Sequence, residues 1–285
     1  GAEEIGRVGG MAQAGAEGGL QGRTGEAPAL LALHGVGKTF SNGVAALDAV
    51  DLTINEGDFL SLLGPSGCGK STALRIIAGL STPTSGGLDW RGGGLDRSGI
   101  GFVFQEPTLL PWASVFDNVW LPLRLRGVSK AKAAPAVMEM LARVHLDGFA
   151  QAVPRELSGG MKMRVSIARA MVTKPRVLLM DEPFAALDEI TRFKLNNDLL
   201  ELWQDERFTA IFVTHSVFES VFLSSRIVVM AARPGRVFRD MSVDAPYPRD
   251  EAFRTSPTYA ALCREASDVL SAAMNANGGS CHDGH

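Results

Sequence analysis

Short apolar runs alternate with amphipathic stretches along most of the chain, and the two periods place strands and helices in turn. Residues 59–63, Phe-Leu-Ser-Leu-Leu, predict a buried strand, and 72–80 a helix with a glycine near its end. Further on, 177–180 predicts a strand, 189–205 a helix, 210–214 a strand, 217–223 a helix and 227–230 a strand. Such alternation implies an α/β fold whose mostly parallel sheet is covered by helices. Upstream, runs at 30–36 and 50–54 are punctuated by Ser41-Asn42-Gly43 and Asn55-Glu56-Gly57. They predict an antiparallel β layer that feeds the strand at 59–63. Ser85-Gly86-Gly87 and Gly92-Gly93-Gly94 read as turns ahead of a strand at 100–104. From about 114 to 145 the period is helical, with breaks expected at Pro122 and Gly127, so a helical insertion is expected at about 106–165. A single amphipathic helix is expected from 251 to about 273.

The 285 residues are 46% hydrophobic and 21% charged, enough for one large core, or one core plus a small appended lobe. Residues 1–28, rich in Gly, Ala and Glu, are expected to be a disordered leader, with Met11 a candidate native start; 29–248 form the main domain and 249–285 a C-terminal helix and flexible tail. Net charge is −3, so nothing suggests nucleic acid held by bulk electrostatics. No apolar run approaches the roughly 18 residues that span a bilayer. Cys281, His282 and His285 look like metal ligands but lack a fourth, and a flexible tail is the expected reading.

The chemistry concentrates at three places. Gly64-Pro65-Ser66-Gly67-Cys68-Gly69-Lys70-Ser71 lies between a predicted strand and a predicted helix, the context of a phosphate-cradling loop. Its glycines let backbone N–H groups wrap an anion at a helix start, with Thr72 next in line. Lys70 is expected on the β- and γ-phosphates and Ser71 on Mg²⁺. Asp181-Glu182 ends the strand at 177–180, at the sheet edge where ligands sit; Asp181 is expected to hold Mg²⁺ and Glu182 to polarise the attacking water. Ser158-Gly159-Gly160 precedes a helical run, a capped helix start that offers a second anion site.

With these motifs in this order, the chain resembles the P-loop ATP-binding cassette (ABC) ATPases over about 30–239. The resemblance implies an ATP-hydrolysing, head-to-tail homodimer in which each ATP is clamped between one subunit's phosphate loop and the other's Ser158-Gly159-Gly160. It also implies that Gln105 contacts Mg²⁺ and the attacking water, that His215 is the switch histidine on the γ-phosphate, and that Ala186-Leu187-Asp188 couples the two sites. Phe40 stands where an aromatic ring stacks on adenine, a role as compatible with its sequence context as a place in the core. Met161 departs from the family's usual Gln, and Ala185-Ala186 from its usual small polar pair.

The segment from Glu106 to Val119 and the Arg233-Pro234-Gly235 turn are similar to the ATPase subunits of nitrate/sulfonate/taurine-type importers, a branch that includes transporters of pyrimidine precursors. That similarity implies two transmembrane permease subunits, a periplasmic or surface solute-binding protein, and a place on the cytoplasmic face of the plasma membrane. Trp112 is the docking candidate for the membrane partner, whereas Leu109 and Phe116 are as well explained as packing. The competing class is a soluble ABC ATPase acting on nucleic acid or ribosomes; the tandem cassettes, coiled-coil insert or basic extensions usual there are not in the sequence.

Overall fold

A computed structural model of the chain describes residues 27–91 and 99–276. Its central strands are almost wholly apolar because both faces of their sheet are covered. In β6 (Val177–Asp181), Val177 and Leu179 enter one core, while Leu178 and Met180 enter the other. The same split divides Ile211 and Val213 from Ala210 and Phe212 in β7 (Thr209–Thr214). It also divides Leu60 and Leu62 from Phe59 and Leu63 in β3 (Phe59–Leu63). With β5 (Ile100–Val103), β8 (Arg226–Ala231) and β9 (Arg236–Ser242), these strands form a sheet in the order β5-β6-β7-β3-β8-β9. It is parallel except for β9, which runs antiparallel to β8 along one edge.

A second, antiparallel sheet has the order β2-β1-β4, with β1 Ala29–Thr39, β2 Ala45–Asn55 and β4 Ser85–Trp90. Its inner face and α1 (Lys70–Ile77) close one core, where Leu33, Ile54, Leu74 and Ile77 meet Leu60 and Ile211. Helices α2 (Val115–Leu125), α3 (Lys130–Arg143), α4 (Gly159–Met171), α5 (Glu189–Glu206) and α6 (Val217–Leu223) cover the other face. Helices α7 (Glu251–Arg254) and α8 (Pro257–Asn275) complete that layer. Among the described residues, no helix is long and apolar enough to cross a membrane.

Three expectations require correction. Ser85-Gly86-Gly87 is not a turn but the start of β4, with Gly87 opposite His34. A Cβ on Gly86 would lie 2.2 Å from the Gly35 carbonyl oxygen, so close backbone approach explains the glycine. Pro122 does not end α2; it sits inside the helix, which is fixed by Val115, Phe116 and Val119 in the core, and the break falls at Gly127, φ +80°. The expected C-terminal helix is two, because Ser256 accepts from the Tyr259 N–H and Pro257 opens a new helix there. As expected, strand β3 is fed by the antiparallel layer and belongs to the parallel sheet; β4 completes that layer.

Strand β9 was not legible, since an edge strand with exposed Phe238, Arg239 and Asp240 has no strong period. Most of the expected leader, Gly92-Gly93-Gly94 and the Cys281, His282 and His285 tail lie outside the described residues. Within them, the Pro28 carbonyl accepts from the Glu56 N–H. Arg249 is buried and donates to the carbonyls of Val221, Phe222 and Ser224, satisfying the C-terminal end of α6.

Candidate functional site

Strand β3 delivers the chain to Gly64, and the loop that follows is packed so tightly that side chains are excluded at specific points. A Cβ at Gly64 would stand 2.7 Å from Cys68 Sγ and 2.9 Å from the Met230 carbonyl oxygen. Gly69 has φ +90°, and a Cβ there would meet the Ala46 carbonyl oxygen at 2.6 Å. Cys68 is fully buried beneath the loop, and burial pushes its thiol above the usual range against the pull of the Lys70 charge. The backbone is thereby fixed around an anion-sized hollow at the start of α1.

Lys70 opens that helix. Its ammonium donates to the carbonyls of Gly64 at 2.7 Å and Pro65 at 2.9 Å, and lies 3.9 Å from Glu182 Oε1. Ser71 Oγ donates to Asp181 Oδ1 at 2.7 Å, joining α1 to the carboxyl end of β6. Glu182 follows with φ +47°, a left-handed conformation uncommon for a glutamate, while its N–H bonds the Val213 carbonyl at 3.0 Å. His215, just after β7, places Nδ1 3.3 Å from Glu182 Oε2. Parallel pairing of β6 with β7 and of β7 with β3 is what sets these groups side by side.

A cleft of about 460 Å³ is lined by Phe40, Ser66, Gly67, Gly69, Lys70, Ser71, Thr72, Gln105 and Glu182. Phe40 is 44% exposed, which excludes a place in the core, and the Lys38 ammonium lies 5.7 Å from its ring centroid. Arg233 also lines the cleft, and Gly235 packs under the loop, where a Cβ would lie 2.2 Å from the Cys68 carbonyl oxygen. Sequence reasoning had these two only as part of a turn. Their glycine and proline signal a bend but not what the bend touches.

Ser158, Gly159 and Gly160 do not line this cleft. Ser158 is exposed and caps α4, accepting from the Met161 N–H at 3.2 Å. Gly160 is buried against α5, where a Cβ would stand 2.6 Å from Thr191 Cγ2. In the neighbouring loop Asp188 caps α5, and the Thr191 N–H it accepts holds its carboxyl below the usual range. Trp112 is 78% exposed, whereas Phe116 is buried and Leu109 partly so.

The hydroxyl of Ser71, the carboxylate of Asp181 and the amide of Gln105 are oxygen donors of the kind a small hard cation takes. Together with the phosphate-shaped loop, they suit a magnesium nucleotide. A larger cavity, about 690 Å³ between α5, α6 and the C-terminal helices, includes none of these groups.

A family described as ABC transporter matches residues 47–185. An uncharacterized ABC transporter ATP-binding protein of Methanocaldococcus jannaschii is 47% identical over 234 residues, covering 80% of this chain and 85% of the relative. The chain belongs to the ABC transporter ATP-binding family. The aliphatic sulfonates import ATP-binding protein SsuB of Bacillus licheniformis is 44% identical to this ABC protein over 227 residues, covering 78% of this chain and 87% of the relative. Among solved structures, the dimeric post-hydrolysis state of an ATP-binding cassette bound to ADP and Pi superposes with a TM-score of 0.65 at 35% identity. It covers 76% of this chain and all of that one. The ABC protein described here is accordingly an ATPase with the P-loop cassette fold.

Proposed function

We propose that this ABC protein drives an importer of a small organic or inorganic solute, of the nitrate, sulfonate, taurine or pyrimidine-precursor kind, as a head-to-tail homodimer. The observation that carries the dimer is the capped, exposed N-terminus of α4. It is built to bind an anion, yet it does not line the cleft of its own chain. The Ser158-Gly159-Gly160 segment of one copy then closes over the ATP seated on the phosphate loop of the other. A groove of about 370 Å³, lined by Phe102, Phe104, Leu121 and Leu125 beside α4, supports the docking of two transmembrane permease subunits. Leu125 at 80% exposure and Trp112 at 78% are large apolar groups left uncovered among the described residues. The protein would sit peripherally on the cytoplasmic face, with a periplasmic or surface solute-binding protein delivering cargo from the other side. The similarity to the sulfonate import protein supports the class of solute.

In the reaction, Lys70 and the loop N–H groups hold the β- and γ-phosphates, and Phe40 offers its ring face to adenine. Ser71, Asp181 and Gln105 would hold Mg²⁺, which supplies neutralisation of phosphate charge when bound. Glu182 accepts a proton from a water whose oxygen bonds to the γ-phosphorus as the bond to the ADP oxygen breaks, giving ADP and inorganic phosphate. His215, beside Glu182, steadies the γ-phosphate and the carboxylate together. Glu182→Gln should lower ATP turnover by at least about 100-fold, since general-base catalysis contributes on that order. With ATP the variant should sediment as a stable dimer; turnover at the wild-type rate would remove the role given to Glu182.

A further inference from the structure

A continuous line of contacts leads from the loop after the catalytic glutamate to the switch histidine. Arg192 Nη2 donates to the Leu187 carbonyl at 2.8 Å. The same guanidinium presents Nε to Glu219 Oε1 at 3.8 Å, and neither of those buried atoms completes a hydrogen bond among the described residues. The other oxygen of Glu219 accepts from the Thr214 hydroxyl at 2.6 Å, and that hydroxyl accepts from the Ser216 N–H at 3.0 Å. Ser216 in turn caps α6 on the Glu219 N–H. Thr214 and Ser216 flank His215: Thr214 bonds the Glu219 carboxylate directly, and Ser216 is tied to it through the Thr214 hydroxyl and to the Glu219 N–H.

Glu219 is 7% exposed, and neither it nor Arg192 lines the nucleotide cleft. A buried carboxylate and a half-buried guanidinium whose Nε is enclosed are held just beyond bonding distance, and about 1 Å of movement would close the gap. We propose that Arg192 and Glu219 are positioning residues that carry the placement of the Leu187 loop to His215. When the loop moves, Leu187 draws the guanidinium with it; closing the gap to Glu219 pulls on Thr214 and Ser216 and resets the reach of His215 to Glu182. A loop that the dimer reading places at the partner subunit thus reports its state to the histidine of its own chain.

This inference rests on the roles proposed above for His215 and Glu182, and one experiment separates the two. Full-length Glu219→Gln keeps an acceptor for Thr214 and removes the charge that faces Arg192. Its basal ATPase should fall about tenfold in kcat with KM for ATP held within about twofold, and its melting temperature should be retained. The His215 ring signals, assigned in a histidine-labelled NMR spectrum by their loss in His215→Ala, should shift. Unmoved His215 signals, unchanged kcat, or kcat and KM altered together would overturn the inference. If Glu219→Gln does not fold, Arg192→Gln is read by the same criteria; failure of both to fold assigns the pair to stability alone and overturns it as well. Wild-type turnover in His215→Ala would instead sink the underlying reading of the site.

Discussion

Gly69 shows how much of this protein is decided by single atoms. Its φ of +90° and the Ala46 carbonyl oxygen 2.6 Å from where a Cβ would stand leave no room for any side chain. Gly69→Ala should therefore weaken ATP binding by at least about tenfold in a fluorescent-analogue titration, since the loop must distort to admit it. Retained affinity would mean that the loop is softer than its packing indicates. Glycines in this loop were legible in the sequence because their spacing is the motif. Arg192 and Glu219 were not, since a charged residue in a helix reads as a solvated face until the fold buries Glu219 and half-buries Arg192. Burial pushes the Glu219 carboxyl up, against the hydroxyl of Thr214 and the charges of Arg192 and His215. Its raised value means that the fold holds this proton more tightly than the unfolded chain does. Any stability it lends is thus complete below the ordinary glutamate range and is lost as pH rises through the raised value. Glu219→Gln removes that loss, which is why a folded variant is the expected outcome.

At the scale of elements, strands buried on both faces were the most readable and edges the least. Strands β6, β7 and β8 carry unbroken apolar runs and β3 one interrupted only by Ser61, and their observed bounds lie within a residue of those expected. Strand β4 is built on Gly86 and Gly87, whose turn-like composition hid a pairing dictated by the backbone of β1. Helix α2 runs through Pro122 because its buried face on the core outweighs one lost backbone bond. A contact between elements has a consequence of its own. Arg169 of α4 is half-buried and donates to the carbonyls of Pro107 at 2.8 Å and Thr108 at 2.9 Å, in the segment that follows Gln105. It ties the helix headed by Ser158 to the stretch that carries Trp112. Arg169→Ala should raise amide exchange in residues 106–113 by about tenfold or more, a loss of roughly 1.5–3 kcal/mol of local stability from hydrogen bonds to a charged group. Unaltered exchange there would show that the tie is not what orders the segment.

At the scale of the whole molecule, two sheets and a helical layer bring Lys70, Ser71, Asp181, Glu182 and His215 together while leaving Ser158 elsewhere on the surface. Order of motifs along the chain was enough to name the family, because each motif has its own strand-to-helix setting and the sheet order brings the strand ends together. What no periodicity gives is where the Ser158-Gly159-Gly160 turn lies relative to the cleft, which depends on surfaces that only an assembled sheet defines. The central claim is that one chain supplies half of each ATP site. It is tested most directly by a structure of the Glu182→Gln protein with Mg²⁺ and ATP. We expect the γ-phosphate held by Lys70 to receive the hydroxyl of Ser158 and the N–H of Gly160 from a second copy. A nucleotide bound with full occupancy and contacted by one chain alone, in every assembly in the sample, would contradict it.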